Sequence, residues 1–222
     1  MTRGPITDGS RDTTPEPQSP LTPLVFLDID DVLCVHEPYG GFDAIEAVHG
    51  RHVNPAAVFS GLFATRARHA LKRMHDAMDA RVRYVISSTW REVFSREQLE
   101  SVFRQGGLEF AADSLAEGEQ WRTPSKLRLG QRVDEIAQWL HQHHQGEPFA
   151  IVDDTHSGAS LLHALMTRPG AALHPFEGRV VLCRENVGLT DAHVPILVEA
   201  LRREAVDLSG RLVGITLRKE EQ

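Results

Sequence analysis

The stretch VFLDIDDVLC, residues 25–34, decides the fold, because an apolar run leads directly into two spaced carboxylates. The run suits a buried parallel strand, which we place over residues 24–29. Side chains alternate along a strand, so Asp28 and Asp30 are expected on one face of it. Two carboxylates side by side at a buried strand end repel each other unless a cation or hydrogen bonds compensate. A magnesium ion with oxygen ligands would compensate in this way.

Three more apolar runs have the length and composition of buried strands, and helical patterns lie between them. The predicted strands are VRYVIS at 82–87, FAIV at 149–152 and RVVLC at 179–183. The predicted helices cover 66–80, Ser95 to Gly106, 131–144, 158–167 and 190–203. Strands that alternate with helices predict an α/β fold, with a Rossmann-like, doubly wound parallel sheet.

The chain has 222 residues, which suits one ordered domain behind an N-terminal tail. Residues 1–23 are rich in Pro, Thr, Ser and Asp, so we expect a disordered tail there and a single domain over 24–222. Gly and Pro interrupt residues 36–64, which predicts loops with one short helix. Neither this stretch nor the one after the second strand has room for a large independent cap domain, so a small or absent cap is expected.

Composition and charge argue against some classes of function. The formal net charge is −7, which weakens the case for tight, non-specific binding to nucleic acid. No apolar run is long enough to cross a bilayer, and the N-terminus lacks the apolar core of a signal peptide. We therefore expect no membrane partner and a cytoplasmic location.

The two cysteines, Cys34 and Cys183, have no CxxC spacing and are expected to be reduced and buried.

Polar side chains follow the second and third predicted strands as well as the first. The second strand ends in SSTWR, residues 87–91, whose hydroxyls can hold a phosphate oxygen, and the third ends in Asp153 and Asp154. Ligands bind beyond the C-terminal ends of the strands in such sheets, so these groups are expected at one edge. Each piece alone also suits a turn or a helix cap. Their joint order along the chain is what indicates a metal and phosphate site.

This ordered set resembles the motifs of the haloacid dehalogenase-like (HAD) superfamily of phosphohydrolases. VFLDIDDVLC is similar to the first motif, YVISSTW to the second and IVDD to the fourth. The runs SSTWRE, RVDEIAQWL and GLTDAH also resemble the branch of HAD domains in Swiss Army Knife RNA repair proteins. The likeness spans about residues 24–203 and implies a HAD-like fold and a magnesium-dependent phosphatase.

The resemblance implies a catalytic role for the matched side chains. Asp28 would attack phosphorus and form an aspartyl-phosphate. Asp30 would protonate the leaving group and then take a proton from water. Ser87 would hydrogen-bond the transferring phosphoryl group, with Ser88 as the alternative if the register is shifted by one residue.

The same resemblance implies a set of ligands for Mg²⁺. They are Asp28, the backbone carbonyl of Asp30, and Asp153 or Asp154. The ion would neutralise charge between two anions, the attacking carboxylate and the phosphate.

Four positions near these motifs leave alternatives open. The third motif of the family needs a cation before the third strand, and either Lys126, the usual residue type, or Arg132, at the head of the 131–144 helix, can supply it. Arg91 either contacts substrate phosphate or is a surface or ion-paired arginine. Asp31 stands where the family usually has Gly, and Asp tolerates a positive φ better than most residues. Its carboxylate is either an extra metal ligand or points away.

The leading prediction is a phosphoric monoester hydrolase that acts on a phosphorylated substrate, which is a small phosphate ester, a nucleotide or a nucleic-acid end. A site without a large cap would admit bulky substrates of this kind. One alternative is a catalytically impaired HAD-fold binding module, for which Asp31 leaves room. Another is a phosphotransferase or dehalogenase on the same scaffold, and a dehalogenase would need no magnesium.

Overall fold

Four parallel strands form the sheet in a computed structural model, which describes residues 21–125, 131–166 and 175–203. They are β1 (Leu24–Leu27), β2 (Arg83–Ile86), β3 (Phe149–Asp154) and β4 (Val180–Cys183). Their order across the sheet is β2-β1-β3-β4, and each neighbouring pair is parallel. This confirms the predicted α/β, Rossmann-like parallel sheet.

Helices connect the strands throughout the described residues. They are α1 (Gly41–Val48), α2 (Pro55–Leu62), α3 (Thr65–Ala77), α4 (Trp90–Val93), α5 (Arg96–Gln105), α6 (Glu109–Asp113), α7 (Arg132–His143), α8 (Ala159–Met166) and α9 (Val194–Arg202). Short 3-10 turns occupy Gly118–Trp121 and Asp191–His193. The five helices predicted from the sequence are present as α3, α5, α7, α8 and α9.

Helix α5 begins where the sequence predicts it, at a capping box. The Ser95 hydroxyl accepts the Gln98 backbone N–H at 3.2 Å, and the Gln98 side chain accepts the Ser95 backbone N–H at 2.9 Å. Each bond satisfies a backbone donor that the first helical turn leaves open. The helix ends at Gln105 with Gly106 as its C-cap, and the next residue, Gly107, has a φ of +77°.

The prediction of loops with one short helix over residues 36–64 is wrong, because two helices, α1 and α2, lie there. Asn54 caps α2 by accepting the Ala57 backbone N–H at 3.2 Å, and Pro55 occupies its first turn. The Asn-Pro pair reads equally as a turn, which is why the sequence interpretation missed the start of α2. Helices α1, α2 and α3 are the only regular elements between β1 and β2.

Alternation along β1 divides the core between the two faces of the sheet. Val25 and Leu27 pack into the cluster that includes α2, α3 and α9, whereas Leu24 and Phe26 pack against α7. The Phe26 ring meets the Trp139 ring of α7 edge-on, with centroids 5.1 Å apart. Side chains at even-numbered positions of β1 therefore face α7, and the next even-numbered residue, Asp28, faces it as well.

Strand β1 ends at Leu27, two residues before the predicted end, because the backbone then turns. The N–H groups of Leu33 and Cys34 both donate to the carbonyl of Ile29 at 2.9 Å. The ladder still includes Asp28, whose N–H donates to the Val152 carbonyl at 2.9 Å. That Asp30 shares a face with Asp28 stays a prediction.

Several sequence expectations fall on parts of the chain without a structural description. The predicted disordered tail lies outside the described residues as far as residue 20, and a single domain over 24–222 stays a prediction. None of the helices described is both long and apolar enough to span a bilayer.

Candidate active site

The carboxyl ends of β1, β2 and β3 bring three predicted motifs to one edge of the sheet. The strand register sets Ile86 and Val152 on either side of the last residue of β1. The residues that follow, Asp28, Ser87 and Asp153, therefore lie side by side, all of them buried.

Three carboxylates meet at this edge, and we call Asp28, Asp153 and Asp154 the acidic centre. One oxygen from each lies within 4.8 Å of the others. Burial raises the pKa of Asp28 well above its ordinary value, and the charge of Asp153 adds to this effect. Burial also raises the pKa of Asp153, to about 7, although Arg132 opposes the shift. Crowded carboxylates of this kind hold their charge best beside a cation, and an all-oxygen donor set suits Mg²⁺.

Arg132, the first residue of α7, is the cation that the structure places at the acidic centre. Its Nη2 donates to Asp28 Oδ1 at 3.0 Å, and its Nε donates to Asp153 Oδ2 at 2.8 Å. The side chain is 8% exposed, so these bonds form away from bulk water. Of the two candidates for the third motif, Arg132 is thus in position, and Lys126 lies outside the described residues.

Three buried oxygen atoms at this edge have no hydrogen-bond partner among the described residues: Asp28 Oδ2, Asp30 Oδ1 and Ser87 Oγ. An unpaired buried polar atom is costly, so such atoms mark where a ligand would supply the missing partner. Asp28 thus has one oxygen held by Arg132 and the other free to react or to bind a cation.

The two candidate hydroxyls of the second motif differ in the same respect. Ser88 Oγ already accepts the Trp90 backbone N–H at 3.5 Å, whereas Ser87 Oγ has no partner within the described ranges. This favours Ser87 over Ser88 as the hydroxyl available to a phosphoryl oxygen.

Asp154 contributes to the loop after β3 as well as to the acidic centre. Its Oδ1 accepts the backbone N–H groups of His156 at 2.6 Å and Ser157 at 3.0 Å. Asp154 N–H in turn donates to Asp153 Oδ1 at 2.9 Å. These bonds fix the orientation of both carboxylates.

Asp30 lies in a different environment, beside the indole of Trp90. Trp90 Nε1 donates to Asp30 Oδ2 at 2.9 Å. Burial raises the pKa of Asp30, and this hydrogen bond partly opposes the rise. The Trp90 ring is 2% exposed, and its N–H also orients Asp30, a contact that spans 60 positions in the chain.

Arg91 is buried and ion-paired rather than free at the surface. Its Nη2 lies 3.0 Å from Glu135 Oε2, and its Nε donates to the Thr123 carbonyl at 2.9 Å. Glu135 also accepts from Arg132 Nη1 at 3.2 Å, so it links the two arginines. The sequence interpretation missed Glu135, although its spacing of three residues from Arg132 on a helix permits such a pair. A contact from Arg91 to substrate stays a prediction.

Asp31 adopts the backbone conformation that Gly would have, with a φ of +53°. Its Oδ1 accepts the Asn186 backbone N–H at 2.6 Å, and its Oδ2 lies 3.7 Å from His36 Nε2. Of the two alternatives for its carboxylate, the structure favours the one in which it points away from the acidic centre.

A cleft of about 430 Å³ opens beside Asp30, between α1 and α4. Gly41 of α1 lies next to Asp30, since a Cβ at this position would be 3.4 Å from Asp30 Oδ1, an ordinary van der Waals contact. Phe42, 74% exposed, and Val93, 46% exposed, face solvent at this cleft. The described side chains that line it include neither Lys nor Arg.

A comparison with family models identifies one match. The model described as "HAD domain in Swiss Army Knife RNA repair proteins" matches residues 24–194, which include every element from β1 to the start of α9. Searches of curated proteins and of solved structures gave no match.

Proposed function

Since this chain belongs to the family of HAD domains in Swiss Army Knife RNA repair proteins, we propose that it is a magnesium-dependent phosphatase with Asp28 as nucleophile. Family membership implies a phosphohydrolase-type function. The observation that carries the finer proposal concerns Asp28 Oδ2 and the Ser87 hydroxyl, which have no hydrogen-bond partner in the part of the chain that the structure describes, while Arg132 holds the other oxygen of Asp28.

The proposed reaction has two steps, and both use the free oxygen of Asp28. Oδ2 attacks phosphorus, the bond to the leaving oxygen breaks, and Asp30 protonates that oxygen. Asp30 then takes a proton from water, and the water oxygen attacks the aspartyl-phosphate to release phosphate and restore Asp28. Ser87 donates its hydroxyl hydrogen to a phosphoryl oxygen throughout.

Asp28 must be ionised to attack, although its burial favours the protonated form. Arg132 opposes this effect, because its guanidinium favours the charged carboxylate. The acidic centre and the backbone carbonyl of Asp30 would hold Mg²⁺, which when bound supplies positive charge between the carboxylate and the phosphate.

The cleft beside Asp30 supports a nucleotide-like leaving group. Asp30 protonates the leaving oxygen, so the rest of the leaving group extends into the cleft that this residue lines. An exposed aromatic ring such as Phe42 can stack on a base, and each base–aromatic contact contributes about 1–3 kcal/mol. A nucleotide or a nucleic-acid end is therefore the favoured class of substrate over a small phosphate ester.

The cytoplasmic location stays a prediction.

The proposal is tested by phosphate release from small phosphate esters, mononucleotides and end-phosphorylated oligonucleotides, with magnesium or with EDTA. We expect magnesium-dependent release that Asp28→Asn abolishes and that Asp113→Asn, at an exposed carboxylate paired with Arg104, leaves intact. Phe42→Ala is expected to lower kcat/KM about tenfold for nucleotides and little for small esters. Folded protein that releases phosphate from none of these compounds would instead favour the HAD-fold binding module.

A further inference from the structure

The turn after β1 brings together a carboxylate, a thiol and an imidazole. One ligand atom from each of Asp30, Cys34 and His36 lies within 4.8 Å of the others. The backbone causes this convergence, because Asp31 N–H donates to the Cys34 carbonyl at 2.7 Å and so closes the turn. We call these three side chains the mixed cluster.

The mixed cluster has lone pairs available for a cation. Asp30 Oδ1 is buried without a hydrogen-bond partner among the described residues. The Cys34 thiol makes a long contact of 3.7 Å to the Tyr39 carbonyl, which is weak for a sulfur donor. His36 is exposed and lines the cleft together with Asp30, so an ion can approach from solvent.

Asp31 adds a feature that recurs at metal sites. Its Oδ2 lies 3.7 Å from His36 Nε2, at ion-pair rather than hydrogen-bond distance. A carboxylate beside a ligating histidine fixes the ring and raises its basicity. The carboxylate that replaces the usual Gly therefore has a place next to this cluster.

We propose that Asp30, Cys34 and His36 form a binding site for Zn²⁺, distinct from the acidic centre, and that zinc bound there inhibits the enzyme. Sulfur and nitrogen ligands select Zn²⁺ over Mg²⁺, which prefers oxygen alone. Three protein ligands leave a fourth position for water, and binding releases the thiol proton of Cys34 to solvent.

Inhibition follows because Asp30 is both a ligand in the proposed zinc site and the proposed proton donor in catalysis. An ion on Asp30 Oδ1 withdraws that carboxylate from proton transfer to the leaving group. The inhibition rests on the proposed function, whereas zinc binding itself does not. The two claims can therefore fail separately.

Binding is tested with Co²⁺ as a spectroscopic substitute for zinc, in an excess of Mg²⁺ that favours oxygen ligation at the acidic centre. A thiolate ligand gives cobalt an intense near-ultraviolet charge-transfer absorbance that oxygen ligands lack. We expect this absorbance in the wild-type protein and its loss on addition of Zn²⁺. It should be absent in Cys34→Ser and intact in Cys183→Ser, the matched change at the other buried cysteine.

Two variants keep the test valid if Cys34→Ser does not fold. His36→Asn removes the imidazole, and Asn tolerates the φ of +60° that His36 adopts. The absorbance should therefore be lost or strongly reduced in this variant. Asp31→Asn should weaken zinc binding about tenfold.

In the same preparations, Zn²⁺ should inhibit phosphate release by the wild type and not by His36→Asn. No charge-transfer absorbance in the wild type, or absorbance that persists in Cys34→Ser, would overturn the proposal.

Discussion

Asp28 and Asp30 are two residues apart in the sequence, yet the structure surrounds them with different partners. Asp28 is 2% exposed, lies among two other carboxylates and is bonded to Arg132. Asp30 is less buried, faces an apolar cleft and is bonded to the neutral indole of Trp90. Burial raises the pKa of both carboxyls. At Asp28 the bonded guanidinium of Arg132 opposes the rise and favours the ionised form that a nucleophile needs, whereas at Asp30 the bonded group is a neutral indole N–H. The surroundings thus assign different roles to one residue type.

The largest effect on this contrast is expected from Arg132→Gln, which removes the cation from the acidic centre. Asp28 and Asp153 would remain buried without their charged partner, so we expect a loss of about 3–5 kcal/mol in the free energy of unfolding. Urea denaturation measures this loss.

Arg104→Gln is the matched control, because the Arg104–Asp113 pair is exposed, and about 0–1 kcal/mol is typical of such pairs. Equal losses in the two variants would show that the buried network around Arg132 contributes no more to stability than an exposed ion pair.

A smaller effect is expected from Trp90→Phe, which keeps an aromatic ring beside Phe63 and Phe94 but removes the bond to Asp30. Losing this bond should lower kcat about tenfold. It should also move the limb of the pH–rate profile set by Asp30 to higher pH, because the indole lowers the pKa of that carboxyl.

Trp139→Phe is the control, since its N–H donates to the Gln120 carbonyl instead of to Asp30. It should lower stability without moving the profile. A profile unchanged by Trp90→Phe would argue against Asp30 as the group that transfers the proton.

A third effect concerns the pH dependence of stability without metal. The pKa of Asp153 is raised from 3.8 to about 7 in the folded protein, so the folded state binds a proton that the unfolded state has lost. The stability from this group is present below about pH 4 and is lost as the pH rises through about 7.

In EDTA, urea denaturation at several pH values should show this fall in the wild type and a shallower one in Asp153→Asn. Magnesium should restore stability at the higher pH, because it binds the ionised carboxylates. Parallel pH curves for the two proteins would contradict the assigned shift.

The sequence predicted the sheet because apolar runs and their alternation with helices are local signals, as the four strands show. It also predicted the order of the motifs, since strand register then brings Asp28, Ser87 and Asp153 together. It could not predict which cation reaches Asp28, because that depends on where α7 begins in space. The bond from Trp90 to Asp30 and the link from Glu135 to Arg91 were missed for the same reason, as contacts between distant segments leave no local pattern.

The central claim is that Asp28 carries the phosphoryl group during turnover. The most direct measurement is acid quenching during turnover of the best substrate from the panel, followed by peptide mapping of the phosphorylated residue. We predict phosphate on Asp28, formed with magnesium and absent with EDTA or in Asp28→Asn. Phosphate on another residue, or sustained turnover with no phosphorylated protein at the earliest quench times, would contradict the claim.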